Sequence, residues 1–294
     1  MEHQTPTPIT GHTALICLLG SPCAHSISPM MHNASFEALG LDYRYLAFDV
    51  NEATLPTAVA GLKALGARGF NLTMPDKNLM VSLCDDLSTA ARIIGAVNTV
   101  VNENGRLIGH NTDGIGYMQS VKDAGYDIID KKMTLLGAGG AATAILVQAA
   151  LDGLKEISVF VRPTSRFYDR LVHTVDELTK ITDCKIKICD FSDAELLKQE
   201  LADSAILTNG TSVGMAPHED TCPAPEDLVF PDGLIVSDII YNPRETRLLS
   251  MAKHQGNPFF NGSYMLLYQG AEAFRLWTGK EMPVEQIKRD FFSK

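Results

Sequence analysis

Strands and helices alternate along this 294-residue chain, and the alternation predicts an α/β protein. Two observations divide it into two domains. An Asn104-Gly105 turn between two apolar runs marks an antiparallel hairpin in the first half, so the first sheet is mixed. In the second half the loop Gly137-Ala138-Gly139-Gly140-Ala141-Ala142 separates an apolar strand from an alanine-rich helix. That arrangement opens a Rossmann-type, doubly wound parallel sheet. The length suits two domains at roughly 100–200 residues each.

Residues 1–11 are polar, rich in Thr and Pro, and read as a loose tail. Leu15 to Leu19 is a buried strand ending at Gly20, and Pro29 to Leu39 is a helix stopped by Gly40. Tyr43 to Val50 alternates as a strand. Leu55 to Leu65 is a helix and Gly69 to Thr73 a third strand. Pro75 suits a first helical turn, which predicts a helix running to Leu83. Ser88 caps a short helix ending at Gly95. The hairpin Val97 to Val101 and Leu107 to Gly109 follows, then a helix from Asp113 to Ala124, closed by Gly125. Met133 to Leu136 leads into the glycine loop and a helix to Leu151. Ile157 to Val161, Lys185 to Cys189, Ala205 to Thr208 and Ile235 to Asp238 read as buried strands of the second sheet. Helices Ser263 to Trp277 and Val284 to Phe291 close the chain.

Composition narrows the function classes. At 45% hydrophobic and 20% charged residues the chain folds rather than staying disordered. A net charge of −10 repels nucleic acid and anionic membrane surfaces, so neither is an expected partner. The longest apolar runs fall far short of the ~18–20 residues that cross a bilayer. Met1-Glu2-His3-Gln4 opens no secretory signal. The six cysteines form no Cys-x-x-Cys pair and read as reduced, mostly buried thiols of a cytoplasmic protein. Together with the eight histidines they show no zinc-ligand spacing, so no metal is expected.

The glycine loop is the sharpest local signal. Gly137 permits the tight turn, Gly139 lets a pyrophosphate approach the backbone, and Ala142 lets helix and strand pack closely. The helix N-terminus adds free N–H groups and partial positive charge. A glycine-rich turn without a ligand is the alternative. The next strand ends Phe160-Val161-Arg162-Pro163-Thr164-Ser165-Arg166, with no carboxylate before Asp169. An acidic residue there would bind the ribose of NAD. Arg162 and Arg166 instead suit a 2′-phosphate through bidentate bonds, or else stand as solvated loop charges. The balance favours NADP, with NAD open.

Several polar residues sit at the ends of first-domain elements: Ser26, Ser28, Asn71, Thr73, Lys77, Asn98 and Asp113. Singly, Ser28 and Thr73 read as helix caps, Asn98 as a turn residue and Asp113 as a first-turn carboxylate favoured by the helix dipole. Together they occur in an ordered series of motifs. These are His25-Ser-Ile-Ser-Pro-Met-Met-His-Asn33, Asn71-Leu-Thr-Met-Pro-Asp-Lys77, Gly95-Ala-Val-Asn-Thr99 and Asn111-Thr-Asp-Gly114, then the loop at Gly137, Asn209-Gly-Thr-Ser-Val-Gly-Met215, Tyr241-Asn-Pro243 and Gly262-Ser-Tyr-Met-Leu-Leu-Tyr-Gln-Gly270. The series resembles the shikimate dehydrogenase family over nearly the whole chain. Gln269-Gly-Ala-Glu272 and Trp277-Thr-Gly-Lys280 are similar to its quinate/shikimate branch.

The resemblance implies a reversible NAD(P)-dependent reduction of 3-dehydroshikimate to shikimate, a step of aromatic amino-acid and chorismate biosynthesis. It implies Lys77 and Asp113 as the catalytic pair and Ser26 and Ser28 as holders of the substrate carboxylate. It assigns Thr73, Asn98, Asp113 and Gln269 to the ring hydroxyls, and Asn71 and Tyr241 to further substrate contacts. Cofactor contacts fall to Gly137, Ala138, Gly139, Gly140, Ala141, Val161, Arg162, Arg166, Asn209 and Thr211, with Gly262 beside the nicotinamide. The C-terminal helices are implied to complete the first domain. This gives a discontinuous substrate domain, 1–113 with 262–294, and a cofactor domain, 114–261, in a monomer or homodimer. Val161-Arg162-Pro163-Thr164 departs from the family's usual Asn-Arg-Thr at the strand end, and Pro163 removes a backbone donor. Quinate is the rival substrate. A ligand-sensing regulator without turnover is the rival of another class, disfavoured by the presence of Lys77 and Asp113 and by the lack of a helix-turn-helix.

Overall fold

The computed structural model describes residues 8–292. It divides into two compact units, one running through Thr112 and resuming at Gln269, the other spanning Asp113–Tyr268. The expected N-terminal tail lies outside the described residues as far as residue 7, and residues 8–10 carry no regular structure.

The first unit contains β1 (Ala14–Gly20), α1 (Ser28–Ala38), β2 (Tyr43–Asp49), α2 (Leu55–Ala64), β3 (Gly69–Leu72), a 3₁₀ helix (Leu79–Leu83), β4 (Asp86–Leu87), α3 (Thr89–Ile94), β5 (Thr99–Glu103) and β6 (Arg106–His110). Its sheet runs β2-β1-β3-β5-β6-β4. β1 is parallel to β2 and β3, whereas β3–β5 and β5–β6 are antiparallel. The hairpin turn follows from its sequence: Asn104 and Gly105 have φ of 53° and 90°, the pair of positive values a type I′ turn requires. The Ser88 side chain accepts from the Ala91 N–H, and Gly95 ends α3 in the left-handed region. Leu62, Phe70, Leu72, Met80, Val97 and Val100 form the core between the sheet and its helices.

The C-terminal helix α9 (Ser263–Thr278) adds its far end to this unit. Trp277 is 1% exposed and donates its indole N–H to the Val100 carbonyl at 2.9 Å. Arg68 donates to the Trp277 carbonyl at 2.8 Å. A side chain at Gly69 would collide with that indole, so β3 admits Trp277 only because it carries glycine there.

The second unit holds α4 (Asp113–Asp123), β7 (Lys132–Leu136), α5 (Gly140–Leu151), β8 (Glu156–Val161), α6 (Tyr168–Thr179), β9 (Lys185–Asp190), α7 (Ala194–Leu201), β10 (Ile206–Asn209), β11 (Ile235–Asp238), α8 (Arg247–Gln255) and β12 (Phe259–Phe260). Its strands run β12-β11-β10-β7-β8-β9, all parallel. This is the dinucleotide-binding strand order, with its switch point between β7 and β10. Eight of the twelve residues of α5 are buried, as expected of an apolar helix packed on more than one side. α4 crosses it where Gly114 meets the Ala144 carbonyl.

Three expectations need correction. No α-helix starts at Pro75: residues 74–78 form turns, and only the 3₁₀ helix reaches Leu83. The Lys77 carbonyl accepts from the Val97 N–H at 2.9 Å, and the Val81 N–H turns instead to the Asn78 carbonyl at 3.3 Å. Lys185–Cys189 is not a buried strand but the sheet edge, with both lysines exposed. The last helix is α-helical only over Val284–Ile287 (α10) and continues as a π-helix, Lys288–Phe292. α6, α7, α8, β4 and β12 were not read from the sequence. The spacing of Leu171, Thr174 and Leu178, all buried on one face of α6, is the signal that carries that helix.

Candidate functional site

In the first unit the polar residues singled out by sequence gather at one sheet end. β1 and β3 both finish there, β5 starts there and β6 ends there, because Asn71 pairs with Thr99 and Thr99 with His110. Ser28 is the first residue of α1. The cap position is Ile27, with no side-chain capping bond, so the capping explanation fails for Ser28. The Ser28 N–H donates to Ser26 Oγ at 3.2 Å, which draws the two serines together. Thr73 precedes turns rather than a helix and packs its methyl group on Gly20. Lys77 is half-buried. Gln269 lies on α9 beside Gly270, which packs against the Met31 methyl of α1.

Asn71 and Asn98 belong to one buried hydrogen-bond chain. The Asn71 amide donates to the Asn98 carbonyl at 3.0 Å and to Thr99 Oγ1 at 2.9 Å. Asn98 Nδ2 donates to Thr112 Oγ1 at 3.0 Å, and its Oδ1 accepts from the Thr112 N–H at 2.8 Å. Thr112 immediately precedes Asp113, the first residue of α4. Tyr45, which the sequence reading missed, donates its hydroxyl to Asn71 Oδ1 at 2.7 Å and is fully buried. His32 stacks on Tyr45 with ring centroids 4.5 Å apart. Neither imidazole nitrogen of His32 has a partner, and burial pushes its pKa down to about 3. The imidazole is therefore a neutral member of an aromatic floor that includes Phe36, Phe274 and Trp277. Asp76, beside Lys77, is also fully buried with both oxygens unpartnered; burial first, and the Glu52 charge second, raise its pKa.

In the second unit Gly137-Ala138-Gly139-Gly140 joins β7 to α5 at the switch point. Gly137 has φ 101° and donates to the Phe160 carbonyl at 2.8 Å. A Cβ there would lie 2.7 Å from Thr211 Cγ2, so packing alone explains this glycine. Gly139 and Gly140 differ. Neither has positive φ, and a Cβ on either would meet no atom within 4 Å. Nothing within the protein demands glycine at these two positions, and their backbone borders open space at the N-terminus of α5. Such a cradle fits the pyrophosphate of a dinucleotide. Ala138, Val161 and Asn209 are buried, and Ala141 and Thr211 half-buried, around the same loop. Arg162 and Arg166 stand exposed past β8, with the Arg166 guanidinium 4.7 Å above the Phe167 ring. At the same sheet end an apolar cavity of about 280 Å³ is lined by Leu136, Phe160, Phe191, Cys222 and Pro223.

Asn209 is fully buried, and its side chain is engaged within the protein. It donates to Val213 O at 3.2 Å and to both Asp238 oxygens at 3.1 Å, and accepts from the Thr211 N–H and hydroxyl at 3.0 and 2.7 Å. Tyr241 is half-exposed one residue past Ile240, whose carbonyl accepts from the Gly262 N–H at 3.0 Å. A side chain at Gly262 would collide with the Ile239 backbone. Among the described residues the one cluster with metal-ligand proximity is His173, Asp176 and Glu177 on α6. There the Lys180 ammonium already sits 2.7 Å from each carboxylate. No helix among the described residues is long and apolar enough to cross a membrane.

Comparison with known proteins gives consistent results. A family model described as the shikimate dehydrogenase substrate binding domain matches residues 18–100, and one described as the shikimate 5′-dehydrogenase C-terminal domain matches residues 262–289. The chain is 52% identical over 293 residues to a shikimate dehydrogenase (NADP(+)) of Listeria monocytogenes, covering 99% of this chain and 100% of that one. It is 43% identical over 281 residues to a quinate/shikimate dehydrogenase of Escherichia coli, covering 96% and 97%. A crystal structure of shikimate 5-dehydrogenase from Listeria monocytogenes in complex with shikimate and NAD superposes with a TM-score of 0.93 at 52% identity, over 96% of this chain and 98% of that one.

Proposed function

Because the chain belongs to the shikimate dehydrogenase family, we propose that it catalyses the reversible reduction of 3-dehydroshikimate to shikimate with NADP or NAD. The observation that carries this reading is the gathering of Ser26, Ser28, Asn71, Thr73 and Asn98 at one sheet end of the first unit. Hydroxyl and amide groups of that kind suit a small polyhydroxylated carboxylate. Residues 1–113 with 262–294 form the substrate-binding region, and residues 114–261 bind the cofactor.

Lys77 and Asp113 carry the catalysis and also contact the substrate. Ser26 and Ser28 donate to the substrate carboxylate. Thr73, Asn98, Asp113 and Gln269 bond the ring hydroxyls, and Asn71 and Tyr241 add further contacts. When bound, the nicotinamide cofactor supplies or accepts the hydride. Negative charge then grows on the carbonyl oxygen, and the Lys77 ammonium donates the proton that quenches it. In the oxidative direction Lys77 takes that proton back. A positioned acid of this kind contributes about 10²–10⁴-fold. The N–H groups of the Gly137 loop and the α5 N-terminus hold the pyrophosphate. Arg162 and Arg166 meet the 2′-phosphate of NADP, which a carboxylate at this position would repel. Gly262 borders the nicotinamide, where a larger side chain has no room.

Quinate is a second substrate, favoured by the likeness to the quinate/shikimate dehydrogenase of Escherichia coli. A reducing, cytoplasmic setting agrees with six cysteines that are all free. Steady-state shikimate oxidation with NADP by Lys77→Ala and Asp113→Ala tests the residue roles. Each kcat should fall by at least about 10²-fold. A near-normal kcat for Lys77→Ala would refute its acid/base role.

A further inference from the structure

We propose that Asp238 is the positioning residue of the cofactor site: its buried carboxylate holds the turn that carries Thr211 and the turn that leads to Tyr241 and Gly262. The proposal rests on the reading of the second unit as the cofactor-binding one.

Asp238 ends β11 and is 1% exposed. Its carboxylate takes hydrogen bonds from three separate segments. Asn209 Nδ2 donates to both oxygens at 3.1 Å from the end of β10. The Ile240 N–H donates to Oδ1 at 3.0 Å. The Thr246 hydroxyl donates to Oδ2 at 2.8 Å from the cap position of α8. Burial of an ionised carboxylate is costly unless it is hydrogen-bonded throughout. Here burial outweighs these donors and pushes the pKa up to about 6.

The bonds set an order that extends to the loop. A carboxylate and the Val213 carbonyl only accept, so the Asn209 NH₂ group must face them. Asn209 Oδ1 then faces the other way and takes the Thr211 N–H and hydroxyl. Thr211 Oγ1 accepts in turn from the Val213 N–H at 3.1 Å. Thus fixed, the Thr211 methyl stands against Gly137, the first glycine of the loop. On the other side the anchored Ile240 accepts from the Gly262 N–H at 3.0 Å, and the Ile239 backbone abuts Gly262. Without the carboxylate, only the Val213 carbonyl at 3.2 Å remains to hold the Asn209 NH₂ group, and Thr211 and Gly262 lose their common reference.

Asp238→Asn keeps the shape but puts an NH₂ group against the Asn209 NH₂ and, according to its flip, against either the Ile240 N–H or the Thr246 hydroxyl. The test measures the KM values for NADP, NAD and shikimate, kcat and the melting temperature of wild type and Asp238→Asn. Direct binding of NADPH and NADH, followed by their fluorescence, runs alongside. The cofactor KM and the dissociation constant of the reduced cofactor should rise about tenfold or more, the scale of one hydrogen bond to a charged group. The shikimate KM should rise by a smaller factor than the cofactor constants, because Tyr241 alone among the anchored residues is assigned to the substrate. Thr246→Val removes a single donor and should raise the cofactor KM by a few-fold; it carries the test if Asp238→Asn does not fold. A double-mutant cycle pairs Asp238→Asn with Thr211→Val, and the combined effect should be smaller than the product of the two. A lowered melting temperature with unmoved cofactor KM and dissociation constants would overturn the proposal. Wild-type protein that binds neither reduced cofactor would overturn the cofactor reading itself, a separate outcome.

Discussion

Gly137, Gly139 and Gly140 look alike in the sequence but differ in what demands them. Gly137 is required by its φ of 101° and by the Thr211 side chain, so it serves the fold as well as any ligand. Gly139 and Gly140 face open space in an ordinary conformation. Gly139→Val therefore should leave the melting temperature within a few degrees of wild type while cutting cofactor affinity about tenfold or more, since a branched side chain would fill the pyrophosphate position. Thermal melts paired with cofactor titration check this; unchanged affinity would remove the loop from the site. Ser26, Asn71, Lys77 and the glycines were legible because each sits in a short motif whose spacing is local. Tyr45, His32 and Asp238 were not. Each acts through burial and through partners on other strands, and sheet order is not written in any one segment.

Elements whose determinants lie within a few residues were read correctly. The Ser88 cap, the Gly95 stop and the Asn104-Gly105 turn each need only their own neighbours. The helix expected from Pro75 failed because a residue twenty positions on, Val97 in the segment that leads into β5, takes the Lys77 carbonyl. That partner is visible only once β5 is docked. Lys185-Ile186-Lys187-Ile188 alternates polar and apolar residues, the pattern of a strand with one wet face. It was legible as an edge, and reading it as buried overlooked the lysines. Lys187 and Lys132 instead bond Glu156 and Glu200 at the rim, where Lys132 reaches Glu200 at 2.6 Å.

At the scale of the whole molecule, two buried groups make stability depend on pH in the same direction. His32 is held near a pKa of about 3 by burial, against 6.5 when free. The unfolded chain therefore takes up a proton that the folded one refuses, and stability complete above pH ~6.5 is lost as pH falls toward 3. At about 1.4 kcal/mol per pH unit this is on the order of 5 kcal/mol. Glu200 is kept at about 2, burial opposing but the Lys132 and Ser158 bonds prevailing, so its contribution exists above pH ~4.5 and fades on acidification. Asp238, raised to about 6 by burial, works the other way: its contribution is complete below pH ~3.8 and lost as pH rises through 6. Melting temperatures from pH 7.5 to 4 should fall for wild type and fall less for His32→Leu; parallel curves would mean the imidazole does not refuse the proton.

Sequence motifs, the two sheets and the family relation converge on one reaction, and the proposal that Arg162 and Arg166 favour NADP concerns its cofactor. The decisive measurement is a set of initial rates for shikimate and for quinate, each with NADP and with NAD. Shikimate should be oxidised, faster at low cofactor concentration with NADP than with NAD, since two guanidinium groups and no carboxylate follow β8. Absence of shikimate turnover with both cofactors would contradict the assignment.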